Sequence, residues 1–139
     1  MDLKTQLIEF EGKVRHAYQD HLGFWTIGVG RLIDKSKGGG LSDDEIDLLL
    51  ENDVRRKSAE LFAALPWATS LGEPRQAVLI GMAFQMGTNG LLGFTNTLQA
   101  VREGRYADAA DGMRQSKWAS QTPARAARLA RQMETGEWS

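Results

Sequence analysis

The sequence predicts an α+β fold, in which a small β-containing part near the N-terminus is followed by one long helix and an all-α remainder. Aromatic, β-branched and glycine residues are concentrated in residues 18–30, as in the strands of a hairpin. Residues 43–64 repeat apolar side chains at helical spacing, and the rest of the chain alternates such segments with glycine and proline. A chain of 139 residues, 42% of them hydrophobic, suffices for one domain with a core or for two coupled lobes.

The N-terminal part is predicted to contain one helix and a short sheet. The apolar residues of 2–11 fall close to helical spacing, and Gly12 stands where a left-handed glycine ends a helix. The sequence HLG offers a turn, which predicts hairpin strands over 17–20 and 24–29. A third short strand over 30–34 is expected before a turn in KSKGGG.

The long helix has a clear start and a clear end. Ser42 followed by three acids is a capping box with negative charge in the first turn. The helix is expected to run over 43–64, because Pro66 cannot continue it. Its apolar side chains predict a face turned mostly toward the core, formed by Ile46, Leu49, Leu50, Val54, Leu61 and Phe62.

Everything after Pro66 is predicted to be helical. Glycine and proline separate the segments, and proline fits the first turn of a helix because its missing N–H has no partner there. The predicted helices begin at Pro74, run over 95–102 and 106–115, and end with one that Thr122 caps and that stops near Gly136.

Composition excludes several classes of function. The chain has no cysteine, so disulfide bonds, thiolate metal sites and a cysteine nucleophile are excluded. His16 and His21 lack partner acids at a metal-binding spacing, and we expect no metal and no other cofactor. No apolar run approaches the roughly 20 residues that span a bilayer, and the N-terminus is too short and too polar for a signal peptide. We therefore expect no membrane insertion.

Charge is balanced in total but unevenly distributed. A net charge of −1 gives no general attraction to an anionic partner. Residues 114–131 hold five bases and no acid, which is compatible with contact to an anionic polymer and equally with a solvated helix surface. Aromatic residues do not interleave with these bases, so we expect no nucleic-acid binding.

Three polar residues flank the end of the first predicted helix and the hairpin. Glu11 lies at the helix end, Asp20 precedes the turn, and Thr26 lies on the returning strand, where it can face Asp20. Two carboxylates and a hydroxyl that holds a water suit cleavage of a glycosidic bond, in which one acid protonates the leaving oxygen. The spacing alone is weak evidence, and by itself it favours an exposed helix-end acid and a turn-forming aspartate.

Longer blocks of sequence carry a resemblance to a known family. One is EGKVRHAYQDHLGFWTIGVG, and another is AFQMGTNGLLGFTNTL, followed by SKWASQTPARAARL. With these blocks the chain resembles the phage-type lysozymes, glycoside hydrolase family 24, over nearly its whole length. The resemblance implies one lysozyme-like domain over 1–139, with a small β-containing lobe over 12–42, a linking helix over 43–64 and a helical lobe over 65–139. It also implies that helix 2–11 packs with the helical lobe and that the active-site cleft lies between the lobes.

The resemblance assigns chemical roles to the three polar residues. Glu11 corresponds to the general acid, Asp20 to the charged partner that stabilises an oxocarbenium ion or orients water, and Thr26 to the residue that positions the attacking water. The implied reaction is hydrolysis, with inversion, of the β-1,4 bond between N-acetylmuramic acid and N-acetylglucosamine in peptidoglycan. Further residues match positions that line the family's saccharide cleft, namely Leu32, Phe84, Gln85, Met86 and Thr97.

The chain departs from the family pattern just after the first block. Arg31 stands where relatives usually carry histidine, and Asp53 matches the aspartate that pairs with that histidine, so we expect an Arg31–Asp53 ion pair. KSKGGG shortens a loop that holds a small helix in relatives. Gly112 stands where the family often has a sugar-contacting asparagine. Arg125 matches an arginine that ties the last helix to its neighbours, and Trp118 is expected in the core.

The resemblance also implies a biological setting, that of a phage or prophage endolysin whose partner is the peptidoglycan glycan strand. We expect a monomer that waits in the host cytoplasm and reaches the periplasm and cell wall through a holin-type membrane lesion. A lytic transglycosylase, which forms 1,6-anhydro products without water, is one alternative, and Asp20 and Thr26 disfavour it. A catalytically inactive saccharide-binding homologue is another, which the intact triad disfavours.

Overall fold

The computed structural model describes residues 1–139 and consists of eight α-helices, two short 3-10 helices and one three-stranded antiparallel sheet. This composition confirms the predicted α+β class. The chain divides into a first unit, Met1–Leu49, and a second unit, Leu50–Ser139. None of the helices is both long and apolar enough to cross a membrane.

The first unit begins with helix α1, Leu3–Glu11. The Asp2 carboxylate caps it by accepting a hydrogen bond of 2.7 Å from the Thr5 amide. Gly12 ends the helix with a φ of 80° and a ψ of 167°. Its φ is positive, as predicted, but its extended ψ differs from the left-handed geometry that was predicted, because the chain passes directly into a strand.

The sheet has the order β1-β2-β3, with β1 at Val14–Gln19, β2 at Trp25–Gly28 and β3 at Arg31–Leu32. The first strand starts three residues before the predicted 17–20, and an irregular register interrupts it between Val14 and Tyr18. KSKGGG contains one turn of 3-10 helix, which the side chain of Asp34 caps.

Helix α2 spans Asp43–Ala64, the bounds that the sequence predicts. The prediction of its inward face is wrong for Ile46, Leu49, Leu50 and Val54, which are exposed, whereas Leu61 is buried. Phe62 is half-buried. The physical reason is that α2 runs through both units, and only its C-terminal end packs into a hydrophobic core.

The second unit continues with a 3-10 helix at Pro66–Ser70 and six helices. Two of them, α4 and α7, have only five residues each and were not predicted. Buried aliphatic, methionine and alanine side chains together with Trp118 form a single core. The helices are α3 Glu73–Met86, α4 Thr88–Leu92, α5 Thr95–Arg102, α6 Tyr106–Arg114, α7 Lys117–Gln121 and α8 Pro123–Thr135.

Polar contacts join α3 to α8 around this core. The Gln132 amide donates a hydrogen bond of 2.8 Å to the Pro74 carbonyl, and the Arg125 guanidinium donates one of 3.2 Å to the Gly81 carbonyl. Thr122 precedes α8 as predicted, but its side chain does not cap that helix. Its hydroxyl donates instead to the Trp118 carbonyl, at 3.0 Å.

Candidate active site

Glu11 is the last residue of α1, and its carboxylate lies against the backbone of Gly30. A β-carbon placed on Gly30 would stand 2.9 Å from Glu11 Oε2 and 3.0 Å from its carboxyl carbon. Gly30 has a φ of 64° and lies in the turn between β2 and β3. Only glycine allows both the positive φ and the close approach of the acid at no steric cost.

Asp20 organises the turn between β1 and β2. Its Oδ1 atom accepts hydrogen bonds from the amides of Leu22 and Phe24, both at 2.9 Å. Its backbone amide donates to the Phe24 carbonyl, and the Gly23 amide donates back to its carbonyl. The other carboxylate oxygen, Oδ2, makes no hydrogen bond within the chain. Asp20 is therefore a turn former that keeps one oxygen for another partner.

Thr26 lies on β2 and is only 5% exposed. Its hydroxyl donates a hydrogen bond of 2.9 Å to the Phe24 carbonyl, so its oxygen lone pairs remain to accept one. The prediction that Thr26 faces Asp20 across the hairpin needs a correction. Thr26 is paired with Tyr18 in the register, and Asp20 lies two residues after Tyr18, just past the end of β1, so Asp20 and Thr26 are diagonal neighbours.

The backbone of Phe24 brings Asp20 and Thr26 together. Its amide donates to the Asp20 carboxylate, while its carbonyl accepts from the Thr26 hydroxyl and from the Asp20 amide. Both side chains are thus anchored on one residue of a tight hairpin. The arrangement offers a carboxylate oxygen and a hydroxyl acceptor on the same element, with a second carboxylate at the following turn.

Arg31 pairs with Glu45, and the predicted Arg31–Asp53 pair is replaced by this one. The Arg31 Nη1 atom lies 2.6 Å from Oε1 and 2.5 Å from Oε2 of Glu45. Glu45 also accepts hydrogen bonds from the amide and the hydroxyl of Ser42, at 2.9 and 2.8 Å. The hydrogen bond from Arg31, followed by those from Ser42, lowers the pKa of Glu45 from 4.5 to about 2.

The sequence contained a signal for Glu45, because its spacing from Ser42 is that of a capping box. Half of that box forms: the Glu45 carboxylate accepts from the Ser42 amide, but the Ser42 hydroxyl donates to the Asp44 and Glu45 carboxylates instead of accepting from the Glu45 amide. The second use of the same carboxylate, as the partner of Arg31, was missed. Glu45 precedes Asp53 by eight residues on the same helix, which is two turns nearer the start of α2.

Of the predicted saccharide-binding residues, Leu32 lies in the first unit as the β3 partner of Thr26. Phe84, Gln85 and Met86 form the C-terminal end of α3 in the second unit, and Phe84 is 44% exposed. The Gln85 Oε1 atom accepts a hydrogen bond of 3.0 Å from the indole N–H of Trp118. This contact was not predicted, although Trp118 is buried as the sequence indicated.

Thr97 packs directly on α6 at Gly112. Its side chain is 8% exposed, and its Oγ1 atom lies 2.5 Å from the place where a β-carbon on Gly112 would stand. Any larger residue at position 112 therefore collides with the present Thr97 side chain, which gives a physical reason for the glycine. Thr97 and Gly112 also line a cavity of about 380 Å³.

No group of three or more histidine, cysteine, aspartate or glutamate side chains is placed to hold a metal ion.

Comparison with known proteins identifies the family. Residues 8–134 match the family described as Phage lysozyme. The chain is 31% identical to "Probable T4-type lysozyme 1" of Dictyostelium discoideum, over 96% of this chain and 94% of that protein. It is 29% identical to "Peptidoglycan hydrolase gp36" of Pseudomonas phage phiKMV, over 94% of this chain and 15% of the relative. It is 28% identical to "Pre-baseplate central spike protein Gp5" of Enterobacteria phage T4, over 98% of this chain and 28% of that protein.

The family match and these relatives show that the chain is a glycoside hydrolase of the lysozyme type. The chain belongs to the phage lysozyme family.

Proposed function

We propose that the chain is an endolysin muramidase, which hydrolyses the β-1,4 bond between N-acetylmuramic acid and N-acetylglucosamine in bacterial peptidoglycan with inversion. Membership of the phage lysozyme family and the similarity to a protein named a peptidoglycan hydrolase support this proposal. The observation that carries it is the anchoring of Asp20 and Thr26 on Phe24, with Glu11 resting on the next turn at Gly30.

Glu11 has the role of general acid in this proposal. Its proton passes to the glycosidic oxygen as the bond from that oxygen to the anomeric carbon breaks. Positive charge then develops on the sugar ring, and the Asp20 carboxylate stabilises it. A water attacks the anomeric carbon from the opposite face, and the proton that this water loses passes to Asp20.

Thr26 positions the attacking water. Because its hydroxyl hydrogen is engaged by the Phe24 carbonyl, Thr26 accepts a hydrogen bond from the water rather than donating one. The water then keeps a lone pair free to attack the sugar. Asp20 has the matching freedom, since only its Oδ1 atom is engaged by turn amides.

Leu32, Phe84, Gln85, Met86 and Thr97 bind the sugar rings in the same proposal. The exposed ring of Phe84 offers an apolar surface to the apolar face of a sugar. Gln85 has its carbonyl oxygen engaged by Trp118, so its NH₂ group is the part left to donate to a sugar oxygen.

The first experiment compares Glu11→Gln with the wild type on purified cell walls. We expect the rate of turbidity loss to fall by roughly 10²–10⁴-fold, the contribution typical of a general acid. Glu9→Gln, a change of the same kind on the same helix, is the matched control and keeps the wild-type rate. A Glu11→Gln variant that clears walls as fast as the wild type contradicts the assignment of the acid.

The released products separate the hydrolase from a lytic transglycosylase. Mass spectrometry of muropeptides is expected to show reducing ends, whereas anhydro ends lighter by one water support the transglycosylase. Proton NMR of the first product is expected to show the α anomer, because inversion converts the β linkage. Binding to walls without any cleavage by the wild type identifies an inactive saccharide-binding homologue.

The endolysin role implies a setting that is part of the same proposal. The chain is held in the host cytoplasm as a monomer until a holin-type lesion gives it access to the periplasm and the wall. Fractionation of expressing cells with and without a holin tests the route, and sedimentation tests the monomer.

A further inference from the structure

The turn between β2 and β3 carries the contact to Glu11. Gly28 and Gly30 both have positive φ, of 68° and 64°, and glycine leaves the backbone of such a turn free to move. Strand β3 has only two residues, which pair Leu32 with Thr26 and Arg31 with Ile27. Beyond β3 the amides of Ile33 and Asp34 donate to the Trp25 carbonyl, at 2.9 and 3.1 Å, and anchor the backbone to β2 on that side. The side chain of Arg31, the residue next to Gly30, is a further link.

The side chain of Arg31 ties this turn to the start of α2. One guanidinium nitrogen contacts both carboxylate oxygens of Glu45, at 2.6 and 2.5 Å. Glu45 is itself fixed, because the Ser42 amide donates to it at 2.9 Å, while the single hydroxyl hydrogen of Ser42 is shared between Glu45 at 2.8 Å and Asp44 at 2.5 Å. The contact thus joins the turn to a helix cap rather than to a free side chain.

We propose that the Arg31–Glu45 pair, called here the turn clamp, positions the general acid by holding the Gly30 backbone against Glu11. The inference rests on the proposed function, in which Glu11 is the acid. Arg31 is a positioning residue: its guanidinium bonds to Glu45, and its effect reaches the acid through Gly30.

The competing explanation is an ordinary surface ion pair. Exposed pairs of this kind usually add little to stability, since solvent screens them. The chain offers one for comparison, in which Arg114 Nη2 lies 2.9 Å from Glu134 Oε2 at similar exposure. Both of those residues belong to the second unit, on α6 and α8, whereas Glu11, Asp20 and Thr26 belong to the first.

The test measures kcat and KM of Arg31→Gln on purified peptidoglycan fragments, at a temperature where the variant is folded. We expect kcat to fall by about 3- to 100-fold, since a misplacement near 1 Å can cost that upper amount, while KM stays unchanged. Arg31→Lys keeps the positive charge, so its kcat should lie between those of Arg31→Gln and the wild type. Arg114→Gln, the matched control, keeps the wild-type kcat.

Glu45→Gln tests the turn clamp by changing the other residue of the pair. Glutamine also serves at this position of a capping box, so the variant keeps the helix cap and loses only the charge. We expect it to match Arg31→Gln, and the double variant to lose no more than either single one, because both changes remove one interaction. Glu134→Gln is its control. If Arg31→Gln does not fold, Glu45→Gln decides the question.

The ¹⁵N relaxation order parameter of the Gly30 amide gives a readout that needs no activity. It is expected to fall in Arg31→Gln and not in Arg114→Gln. A wild-type kcat in folded Arg31→Gln, additive losses in the double variant, or an unchanged order parameter at Gly30 overturns the turn clamp. A wild type that does not cleave peptidoglycan overturns the proposed function instead, and the order parameter still decides whether the clamp holds the turn.

Discussion

Different kinds of interaction stabilise each of the two units of the chain. The buried hydrophobic side chains all lie in the second unit, between Leu61 and Met133. In the first unit the single buried residue is Thr26, and hydrogen bonds from turns, caps and the sheet hold the backbone. The proposed catalytic residues thus lie in the unit without a buried hydrophobic core, whereas the packed core lies in the other unit.

The largest effect that this comparison predicts is on stability in the second unit. Leu79 on α3 is 1% exposed, and Leu79→Ala is expected to lower the free energy of unfolding by about 2–5 kcal/mol. Leu48→Ala on α2 is the control, because Leu48 is 57% exposed, and its cost should be within about 0.5 kcal/mol. Urea denaturation measures both. Equal losses contradict the contrast between the units.

The next effect is on catalysis, through a glycine of the first unit. Gly30→Ala is expected to lower both stability and wall lysis, since its β-carbon would stand 2.9 Å from Glu11 Oε2. Gly28→Ala is the matched control, because Gly28 has nearly the same positive φ but nothing within 4 Å of an added β-carbon. Each change costs roughly 1–2 kcal/mol in backbone strain. Only Gly30→Ala should also slow lysis. Equal lysis rates in the two variants would show that the contact with Glu11 has no catalytic consequence.

The difference between the two units also explains which parts of the fold could be predicted from the sequence. The longer helices of the second unit follow from periodicity and from proline and glycine, because their apolar faces pack in a hydrophobic core. The helices α4 and α7 were missed, because five residues are too few to show a helical period. The bounds of α2 were predicted for the same local reasons, namely its cap and Pro66. The inward face of α2 was not predicted correctly, because periodicity shows which side of a helix is apolar but not whether another element covers that side.

The site was predicted only in part. The motif around Glu11, Asp20 and Thr26 placed all three on the helix end and hairpin that the structure shows. The partner of Arg31 was missed, since a long arginine side chain reaches several carboxylates and the choice between Glu45 and Asp53 depends on where β3 lies. The shared anchor at Phe24 depends on the register, which composition does not reveal.

Thr26→Val tests whether the buried residue of the first unit has a chemical role as well as a structural one. Valine keeps the shape but loses the hydrogen bond to the Phe24 carbonyl, which should cost about 0.5–1.5 kcal/mol of stability. If Thr26 holds the attacking water, wall lysis falls well beyond what that loss of folded protein explains. Thr26→Ser restores the hydroxyl and should restore lysis. Equal lysis by the valine and serine variants would contradict the water-holding role.

The smallest predicted effect is the pH dependence of the turn clamp. The pKa of Glu45 is lowered from 4.5 to about 2, chiefly by Arg31, so the folded state binds this proton less readily than the unfolded chain. Its contribution to stability is therefore complete above about pH 4.5 and is lost as the pH falls through about 2. The difference in unfolding free energy between wild type and Glu45→Gln should be constant from pH 7 to 5 and shrink below.

Arg31→Gln supplies the control for this pH dependence. Without the guanidinium, Ser42 is the main remaining donor to the Glu45 carboxylate, so the pKa of Glu45 is lowered less. The difference in unfolding free energy that Glu45→Gln causes should then begin to shrink at a higher pH than it does in the presence of Arg31. Urea titrations between pH 2 and 7 measure the difference in each background. If the difference in unfolding free energy shrinks at the same pH with and without Arg31, Ser42 alone holds the Glu45 carboxylate. The turn between β2 and β3 would then have no link to α2 through Arg31.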